Sequence, residues 1–334
     1  MRISIIIPVY NSEAFLKNCL LSICHQTYSD FDCILVNDGS SDRSGQICDE
    51  WSKLDSRFRV IHQTNKGVSQ ARNTALSQCN TQWITFVDSD DWLNEDYLAF
   101  MVNETSKHPD AEIIISSSLT HYGDKISEHC LMRNAGCHKF DNQSQHVINE
   151  LLEKYKIMAP WGKLYKKSII DRYNVQFPAD VSYGEDLIFN ITYFSCIECF
   201  AIAKSAIYNY IVRDGSLSKK VKDTWKTNYP QWVKLFDLFQ AKNIDSAIIN
   251  ETLFKMLWDS ITESIFNSKY LGLSFKEEYK YIKSILSMPE IDDKRFRTCD
   301  SNCSEWIKYI IMNRYSLVFA FINHFLIQTK NIKE

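Results

Sequence analysis

Short apolar segments alternate with amphipathic ones over the first third of the chain. The apolar segments are rich in β-branched residues, which is typical of strands buried on both faces. They lie at 3–9, 31–37, 59–63 and 83–87. Apolar residues recur at helical spacing after Ser12, and a further helix is predicted at about 68–78. The alternation predicts βαβ units, and therefore a parallel sheet with right-handed crossovers.

Polar clusters follow three of these predicted strands. They read PVYN at 8–11, NDGSSD at 37–42 and DSDD at 88–91. Ligand sites of open parallel sheets lie beyond the carboxyl ends of the strands, so we expect the three clusters to converge in space. The chain has only nine glycines, so a glycine inside such a cluster, as Gly39 is, indicates a backbone need such as a positive φ angle.

Beyond about residue 220 the pattern changes to helical spacing alone, which predicts a helical C-terminal region. Its most apolar candidate is 306–330, with Asn313, Ser316 and Ala320 expected on one face and Leu317 on another. The uncharged run within it, Tyr315–Thr329, is shorter than the roughly 20 residues of a membrane span. Two interpretations stay open: a core helix, or a surface for a membrane or a protein partner. The irregular segment 119–158 has no interpretable pattern, and we expect it to line the cleft.

Composition and charge restrict the class of protein. With 45% hydrophobic and 24% charged residues, the 334-residue chain is globular and long enough for about two domains. The net charge of −3 argues against nucleic-acid binding. The acidic excess lies in residues 1–219. Eleven irregularly spaced cysteines, without a signal-peptide pattern at Met1, predict reduced thiols in a cytoplasmic protein. A zinc site at Cys196 and Cys199 is the weaker alternative to buried thiols.

The DSDD cluster has two interpretations of its own. Carboxylates repel a diphosphate unless a divalent cation such as Mg²⁺ or Mn²⁺ intervenes, and such ions bind one or two carboxylates together with phosphate oxygens. Alternation along an extended segment would point Asp88 and Asp90 the same way. Alternatively, the acidic residues, Asp91 among them, favour the start of the next helix. The nucleotide cradles GxGxxG and GxxxxGK[ST] are absent from the sequence.

The order of these clusters resembles the family 2 glycosyltransferases, which are nucleotide-sugar-dependent enzymes of the GT-A fold. The resemblance covers essentially all of residues 3–105, including NKGVSQARNTAL and ITFVDSDDW. It resumes in APWGKLYKKSII (159–170), YGEDLIFN (183–190) and YNYIVRDGSLS (208–218). It implies an α/β fold with a Rossmann-like mixed sheet flanked by helices. We therefore expect a catalytic domain at 1–219, with a nucleotide-sugar half at 1–105 and an acceptor half at 106–219, and a helical domain at 220–334.

The resemblance also implies a role for individual residues on the donor side. Pro8, Val9 and Tyr10 would bracket the base, and Asp38 would accept a hydrogen bond from uracil, which favours UDP. Arg72 would reach the nucleotide or its phosphates. Asp88, Ser89 and Asp90 correspond to the DXD motif, in which Asp88 and Asp90 would hold ribose and a divalent cation, Mn²⁺ or Mg²⁺. Each residue also has an ordinary structural alternative, such as a turn at Asp38 or a carboxylate partner for Arg72.

On the acceptor side the resemblance implies an inverting mechanism. Asp186 would be the general base, with Glu185 beside it as an orienting or acceptor-binding group. Arg213 and Ser216 match positions that close over the diphosphate in relatives. Trp161 has two nearly equal interpretations: stacking on a sugar, or packing in the core.

Three functions remain open at this stage. The first is an inverting, metal-dependent transfer from a UDP-sugar to a bacterial surface glycan such as capsule, O-antigen or lipooligosaccharide. Its acceptor would be a glycan, which in one form is linked to a lipid diphosphate. The protein would then work at the inner face of the cytoplasmic membrane, with residues 306–330 as its peripheral contact with that membrane. The second is a nucleotidyl- or phosphotransferase that uses the same metal site. The third is a non-catalytic nucleotide-sugar-binding scaffold.

Overall fold

Strands and helices alternate from the N-terminus, as the hydrophobic pattern predicts. The computed structural model describes residues 1–181, 184–213, 224–244, 246–288 and 305–321. Its first elements are β1 (Ile3–Val9), α1 (Glu13–Cys24), β2 (Phe31–Asp38), α2 (Ser44–Leu54), β3 (Phe58–Gln63), α3 (Val68–Gln78) and β4 (Trp83–Phe86). The isoleucines of β1 are fully buried, because β1 pairs in parallel with β2 on one side and β4 on the other. The four predicted strands and both predicted helices are confirmed.

The following part of the chain returns to the same sheet. Its elements are β5 (Trp92–Leu93), α4 (Tyr97–Lys107), β6 (Ile113–Tyr122), β7 (Lys125–Ser127), β8 (Gly136–Lys139), α5 (Gln145–Glu153), β9 (Lys163–Lys166), α6 (Lys167–Tyr173), α7 (Glu185–Ser195) and β10 (Cys199–Ile211). The segment 119–158 is therefore not irregular, since it holds the end of β6, two short strands and α5. Short strands with few apolar residues carry little periodicity, so a sequence pattern did not reveal them.

The strands form one mixed sheet in the order β3-β2-β1-β4-β9-β6-β10-β5. The pairs β1–β2, β1–β4, β2–β3 and β6–β10 are parallel, whereas β9 is antiparallel to both β4 and β6. Two antiparallel steps through β9 restore the direction, so β6 and β10 run the same way as β1 and β4. The carboxyl ends of β1, β2, β4 and β10 therefore lie along one edge of the sheet. The expected mixed α/β fold is confirmed.

The chain divides into two compact units, Met1–Asp214 with Ala241–Ile244 and Gly215–Gln240 with Asp245–Glu334. The described part of the second unit is helical, which confirms the expected helical C-terminal region. Its helices are α8 (Thr224–Ala241), α9 (Ala247–Asn267), α10 (Phe275–Ile285), α11 (Glu305–Met312) and α12 (Ser316–Phe321). Ser274 and Glu277 form a capping box that starts α10.

The apolar segment 306–330 is not one helix within its described part, so the expected helix is wrong there. It breaks between α11 and α12, where Arg314 has a φ of 57°. Within α12, Ser316 and Ala320 are buried while Leu317 is 58% exposed, so the two small residues and Leu317 lie on different faces. Among the described residues, no helix is long and apolar enough to cross a membrane. A membrane contact through this segment stays a prediction.

Candidate functional site

The three polar clusters meet at the carboxyl edge of the sheet. The hydroxyl groups of Ser12 and Ser89 lie 2.7 Å apart, which joins the end of β1 to the segment after β4. The amide of Ser12 donates to Ser44 Oγ at 2.8 Å, and the amide of Asn11 donates to Ser40 Oγ at 3.1 Å. These bonds join the end of β1 to the loop after β2. The predicted convergence of the clusters is therefore confirmed.

Asp38 ends β2 and connects it to the loop before α3. Its carboxylate is buried and accepts hydrogen bonds from Gln63 Nε2 at 2.7 Å and from the amides of Lys66 and Gly67, both at 2.9 Å. The next residue, Gly39, has a φ of +68°, and a Cβ there would lie 2.7 Å from the amide nitrogen of Asn65. Glycine is therefore required by both conformation and space. The recognition of uracil by Asp38 stays a prediction.

The predicted base-binding residues differ in what they expose. Val9 is fully buried in β1, Pro8 is partly buried beside it, and Tyr10 is 53% exposed. Of the three, Tyr10 has the free surface that a stacked ring requires. Pro8 lies opposite Val36 of β2, so that its ring adjoins the strand that ends at Asp38.

Arg72 lies at the centre of the site, on α3, with its side chain only 4% exposed. Nη2 lies 3.0 Å from Asp88 Oδ1, Nη1 lies 2.5 Å from Asp186 Oδ1, and Nη1 lies 3.7 Å from Glu185 Oε1. Burial alone would lower the pKa of Arg72, but the three carboxylates more than offset it and raise the pKa. One guanidinium group thus joins the segment after β4 to the first turn of α7.

Asp186 lies in the first turn of α7, after Gly184, whose φ of 81° lies in the left-handed region. The pKa of Asp186 is raised to about 7, chiefly by burial; Arg72 lowers this pKa, while Glu185 and Asp88 add to the rise. The side chain is nevertheless 30% exposed. A carboxyl group of this pKa with an open approach has the properties of a general base near neutral pH.

The segment after β4 forms a tight turn, in which the amide of Asp91 donates to the carbonyl of Asp88 at 3.1 Å. Ser89 is buried in the turn, whereas the side chain of Asp90 is 24% exposed and pairs with Arg213. The guanidinium carbon of Arg213 also lies 3.8 Å from the ring centroid of Phe15. Arg213 therefore lies beside the DXD turn. Its contact with the diphosphate stays a prediction, and Ser216 lies outside the described residues.

Asp88 and Asp90 fit a divalent cation in the chemistry of their donor atoms. Each offers carboxylate oxygen, and each is balanced here by a guanidinium group, from Arg72 and Arg213 respectively. The described parts of the chain contain no group of three or more His, Cys, Asp or Glu side chains that could hold a metal ion. A cation here would thus complete its coordination with phosphate oxygens and water, as Mg²⁺ commonly does.

Asp91 does not start a helix, so that interpretation of the third carboxylate is wrong. Helix α4 begins only at Tyr97, after β5. Asp91 is instead 1% exposed and bonded to Tyr208 and to the backbone of β10. Sequence reasoning missed Tyr208 because its partner lies 117 residues away, and no local pattern marks such a pair.

Trp161 is half-buried and belongs to an aromatic stack. Its ring lies 4.6 Å from that of Tyr208 and 5.2 Å from that of Tyr210, both nearly parallel to it. The ring therefore packs against β10, and because Trp161 is only half-buried it also keeps some exposed surface. Its contact with a sugar stays a prediction.

Two buried lysines adjoin Trp161, and sequence reasoning missed both. Lys156 Nζ donates to Ser118 Oγ at 2.7 Å and lies 5.9 Å from the centroid of the Trp161 ring; burial lowers its pKa to about 7. Lys163 Nζ donates to the carbonyl of Ala159, and burial lowers its pKa well below the usual value. Buried lysines are rare, so composition gives no reason to expect them.

A mixed α/β sheet with a DXD turn after a central strand, and a carboxylate linked to that turn through Arg72, are the features of the GT-A class. The sequence model of the family "Glycosyl transferase family 2" matches residues 4–173, which is half of the chain. The chain therefore belongs to glycosyl transferase family 2, and the resemblance found in the sequence is confirmed.

Curated relatives and solved structures agree with this membership. Glycosyltransferase GlyG of Streptococcus pneumoniae serotype 4 is 40% identical over 290 residues, covering 84% of this chain and 93% of GlyG. Glycosyltransferase GlyA of the same organism is 35% identical over 235 residues, covering 67% of this chain but only 32% of GlyA. The crystal structure of S. aureus TarS 1–349 in complex with UDP-GlcNAc has a TM-score of 0.72 at 18% identity, covering 98% of this chain and 92% of that one. This last likeness concerns the fold.

Proposed function

We propose that the chain transfers a sugar from a UDP-sugar to a hydroxyl group of a growing bacterial surface glycan, with inversion and with Asp186 as general base. A divalent cation at Asp88 and Asp90 would assist. The observation that carries the proposal is the double ion pair of Arg72, with Asp88 at 3.0 Å and Asp186 at 2.5 Å. The donor motif and the base thus lie on opposite sides of one guanidinium group, which is the proximity that a single displacement requires.

The proposed step needs one base and no covalent enzyme intermediate. Asp186 takes the proton of the acceptor hydroxyl as that oxygen forms its bond to the anomeric carbon. The bond between this carbon and the β-phosphate oxygen breaks on the opposite face, and its electron pair leaves with UDP. The pKa of Asp186, raised by burial to about 7, makes the carboxylate basic enough to accept the proton near neutral pH.

The donor would be held by residues of this chain on both sides of the DXD turn. Tyr10 would stack on the uracil, with Asp38 as its hydrogen-bond acceptor, and Arg213 would pair with the diphosphate. A divalent cation, when bound, would supply electrostatic stabilisation of the charge that develops on the leaving group. Arg72 keeps Asp88 and Asp186 at a fixed separation while one binds and the other takes the proton.

The choice of UDP-sugar and of a surface glycan rests on the relatives. TarS of S. aureus, whose fold this chain resembles, has been solved in complex with UDP-GlcNAc. The curated relatives include a poly(ribitol-phosphate) beta-glucosyltransferase, which is 29% identical over 222 residues. These names support the donor class and the acceptor class, whereas the particular sugar and linkage depend on this chain's own cleft.

The test combines a donor panel with three variants of the full-length chain. The protein is incubated with Mn²⁺ and several UDP-sugars, with and without glycan acceptors, and UDP release is measured. We expect acceptor-dependent release with one donor and a loss of about 10²–10⁴-fold in Asp186→Ala, as is typical when a general base is removed. Asp90→Ala should also be impaired, whereas Asp171→Ala, at a side chain 61% exposed on α6, is the control and should retain activity. Activity that survives both Asp186→Ala and Asp90→Ala would disprove the assignment.

A further inference from the structure

Tyr208 of β10 connects the DXD turn to the strand that precedes Arg213. The residue is fully buried. Its hydroxyl donates to Asp91 Oδ2 at 2.6 Å and accepts from the amide of Asp88 at 3.1 Å. The other oxygen of Asp91 accepts from the amide of Ile211 at 2.9 Å. One hydroxyl and one carboxylate thus fix both ends of the turn to the end of β10.

The turn held in this way carries Asp90 at its exposed corner. A backbone bond of 3.1 Å from Asp91 to Asp88 closes the turn, and the described residues give the Asp91 carboxylate no cationic partner within ion-pair distance. A buried carboxylate without such a partner is costly unless its oxygens are hydrogen-bonded, and here both are. An apolar side chain would fill this position at less cost. The polar pair therefore indicates a requirement on the backbone geometry of Asp88 and Asp90.

The ring of Tyr208 has a second contact, on the acceptor side. It stacks on Trp161 with centroids 4.6 Å apart and planes 9° from parallel. The hydroxyl of Tyr208 thus contacts the donor motif while its ring supports the residue predicted to bind sugar or acceptor. A single rigid side chain sets the distance between these two parts of the site.

We propose that Tyr208, together with Asp91, is a positioning residue for the metal-binding turn. It holds Asp88 and Asp90 in the orientation that binds a divalent cation with a nucleoside diphosphate, and it aligns this turn with Trp161. The inference rests on the proposed function, since it needs the DXD turn to bind metal and nucleotide. It predicts that the hydroxyl of Tyr208 matters for metal affinity although it touches neither the metal nor the substrate.

The experiment uses calorimetric titration of UDP with Mn²⁺ into the full chain and into Tyr208→Phe, which keeps the ring but removes the hydroxyl. We expect binding about 10–100-fold weaker, the usual effect of losing an outer partner of a metal ligand. Asp91→Asn should weaken binding comparably. The double variant should be little worse than either single one, because the two groups act as one unit. In kinetics, the KM for the donor should rise while the acid limb of the pH profile, set by Asp186, stays in place.

Tyr193→Phe is the matched control. Tyr193 is a buried tyrosine whose hydroxyl likewise donates and accepts: it donates to the carbonyl of Glu112 at 2.6 Å and, at 3.3 Å, to that of Lys166, and it accepts from the amide of Lys166 at 2.9 Å. It should lower the melting temperature about as much as Tyr208→Phe and leave the binding of Mn²⁺ and UDP unchanged.

Three results would overturn the inference. One is a Tyr208→Phe variant that loses stability like the control but binds Mn²⁺ and UDP as the unaltered chain does. Another is a double variant whose defects add, since independent effects would mean that the pair is not a unit. The last is an unaltered chain that binds no Mn²⁺ with UDP, which would remove the proposed function itself and is therefore distinguishable from the other two.

Discussion

Asp38 and Asp186 are both carboxylates near the carboxyl edge of the sheet, but the fold surrounds them differently. Asp38 is 3% exposed and accepts three hydrogen bonds, from the end of β3 and from the loop before α3. Asp186 is 30% exposed and is bonded to one guanidinium group. Amide donors hold Asp38 in one place for a ligand. A single charged partner and a pKa raised to about 7 leave Asp186 able to take a proton.

The difference separates a binding carboxylate from a reacting one. A carboxylate that accepts several neutral hydrogen bonds contributes geometry, because these bonds fix its orientation and leave one acceptor site for a ligand. A carboxylate held by one charge in a poorly solvated place responds to every change in that charge. The surroundings therefore predict different responses to mutation. Changes at Asp38 should disturb the geometry of the binding site, whereas changes around Asp186 should shift the pH profile of activity.

The largest expected effect comes from Arg72→Gln, which removes the only guanidinium group within ion-pair distance of Asp186 among the described residues. Because Arg72 lowers the pKa of Asp186, its removal should raise that pKa further above about 7 and move the acid limb of kcat/KM to higher pH. The carboxylates would also lose a buried counter-charge, which should lower the free energy of unfolding by about 3 kcal/mol. This is the low end of the range for a buried ion pair, because Asp88 and Asp186 are partly exposed. Thermal unfolding and the pH profile measure the two effects.

Arg57→Gln is the matched control for this change. Arg57 forms an ion pair of 2.7 Å with Asp55 just before β3, at the end of that strand away from the carboxyl edge, and is 24% exposed. The Arg57→Gln variant should lose less stability than Arg72→Gln, and the acid limb of its pH profile should not shift. An Arg72→Gln variant with an unshifted acid limb would contradict the assignment of that limb to Asp186.

The first four strands, the two helices predicted among them and the place of the polar clusters after the strands could be predicted from the sequence. Periodicity is a local property, and the clusters around Asp38 and Asp88 follow buried strands whose direction a βαβ pattern fixes. The pairing of Arg72 with Asp186 could not be predicted, since it joins residues 114 positions apart and either could have had a nearer partner. The same holds for Tyr208 and Asp91. Such pairs depend on side-chain placement in three dimensions, which leaves no trace in spacing.

A second limit concerns the backbone. The break between α11 and α12 occurs at Arg314, with a φ of 57°, although arginine is an ordinary helix former and no proline or glycine marks the place. Gly39 is the opposite case, in which scarcity of glycine inside a polar cluster did indicate the positive φ that the structure has. A positive φ angle can thus be predicted where a glycine marks it, and cannot be predicted at a residue such as Arg314.

A smaller effect is expected from Asp38→Asn, which tests whether Asp38 is the carboxylate that binds the donor. The amide would turn an N–H₂ group toward backbone donors, and an unsatisfied buried group costs about 1–3 kcal/mol of unfolding free energy. We expect a lower melting temperature and a higher KM for the UDP-sugar, with the acid limb unchanged. Chemical denaturation and donor titration measure these changes.

Glu150→Gln provides the control for Asp38→Asn. Glu150 is a buried carboxylate in α5 that accepts three bonds, from the amides of Arg133 and Asn134 and from Asn134 Nδ2. It should lose a similar amount of stability with no change in the KM for the donor. Equal donor defects in the two variants would mean that Asp38 acts through general stability and has no contact with the nucleotide.

The smallest expected effect is that of Glu185→Gln, and its sign is opposite to that of Arg72→Gln. The charge of Glu185 raises the pKa of Asp186, so its removal should lower this pKa from about 7 and move the acid limb to lower pH. A larger fraction of Asp186 is then ionised at pH values below 7, and kcat/KM should rise there by less than about tenfold, which corresponds to less than one pKa unit. Glu50→Gln, an exposed glutamate on α2, removes the same charge at a distance and should leave the profile unchanged. If Arg72→Gln and Glu185→Gln moved the acid limb in the same direction, the proposal that these two neighbours control the pKa of Asp186 electrostatically would be wrong.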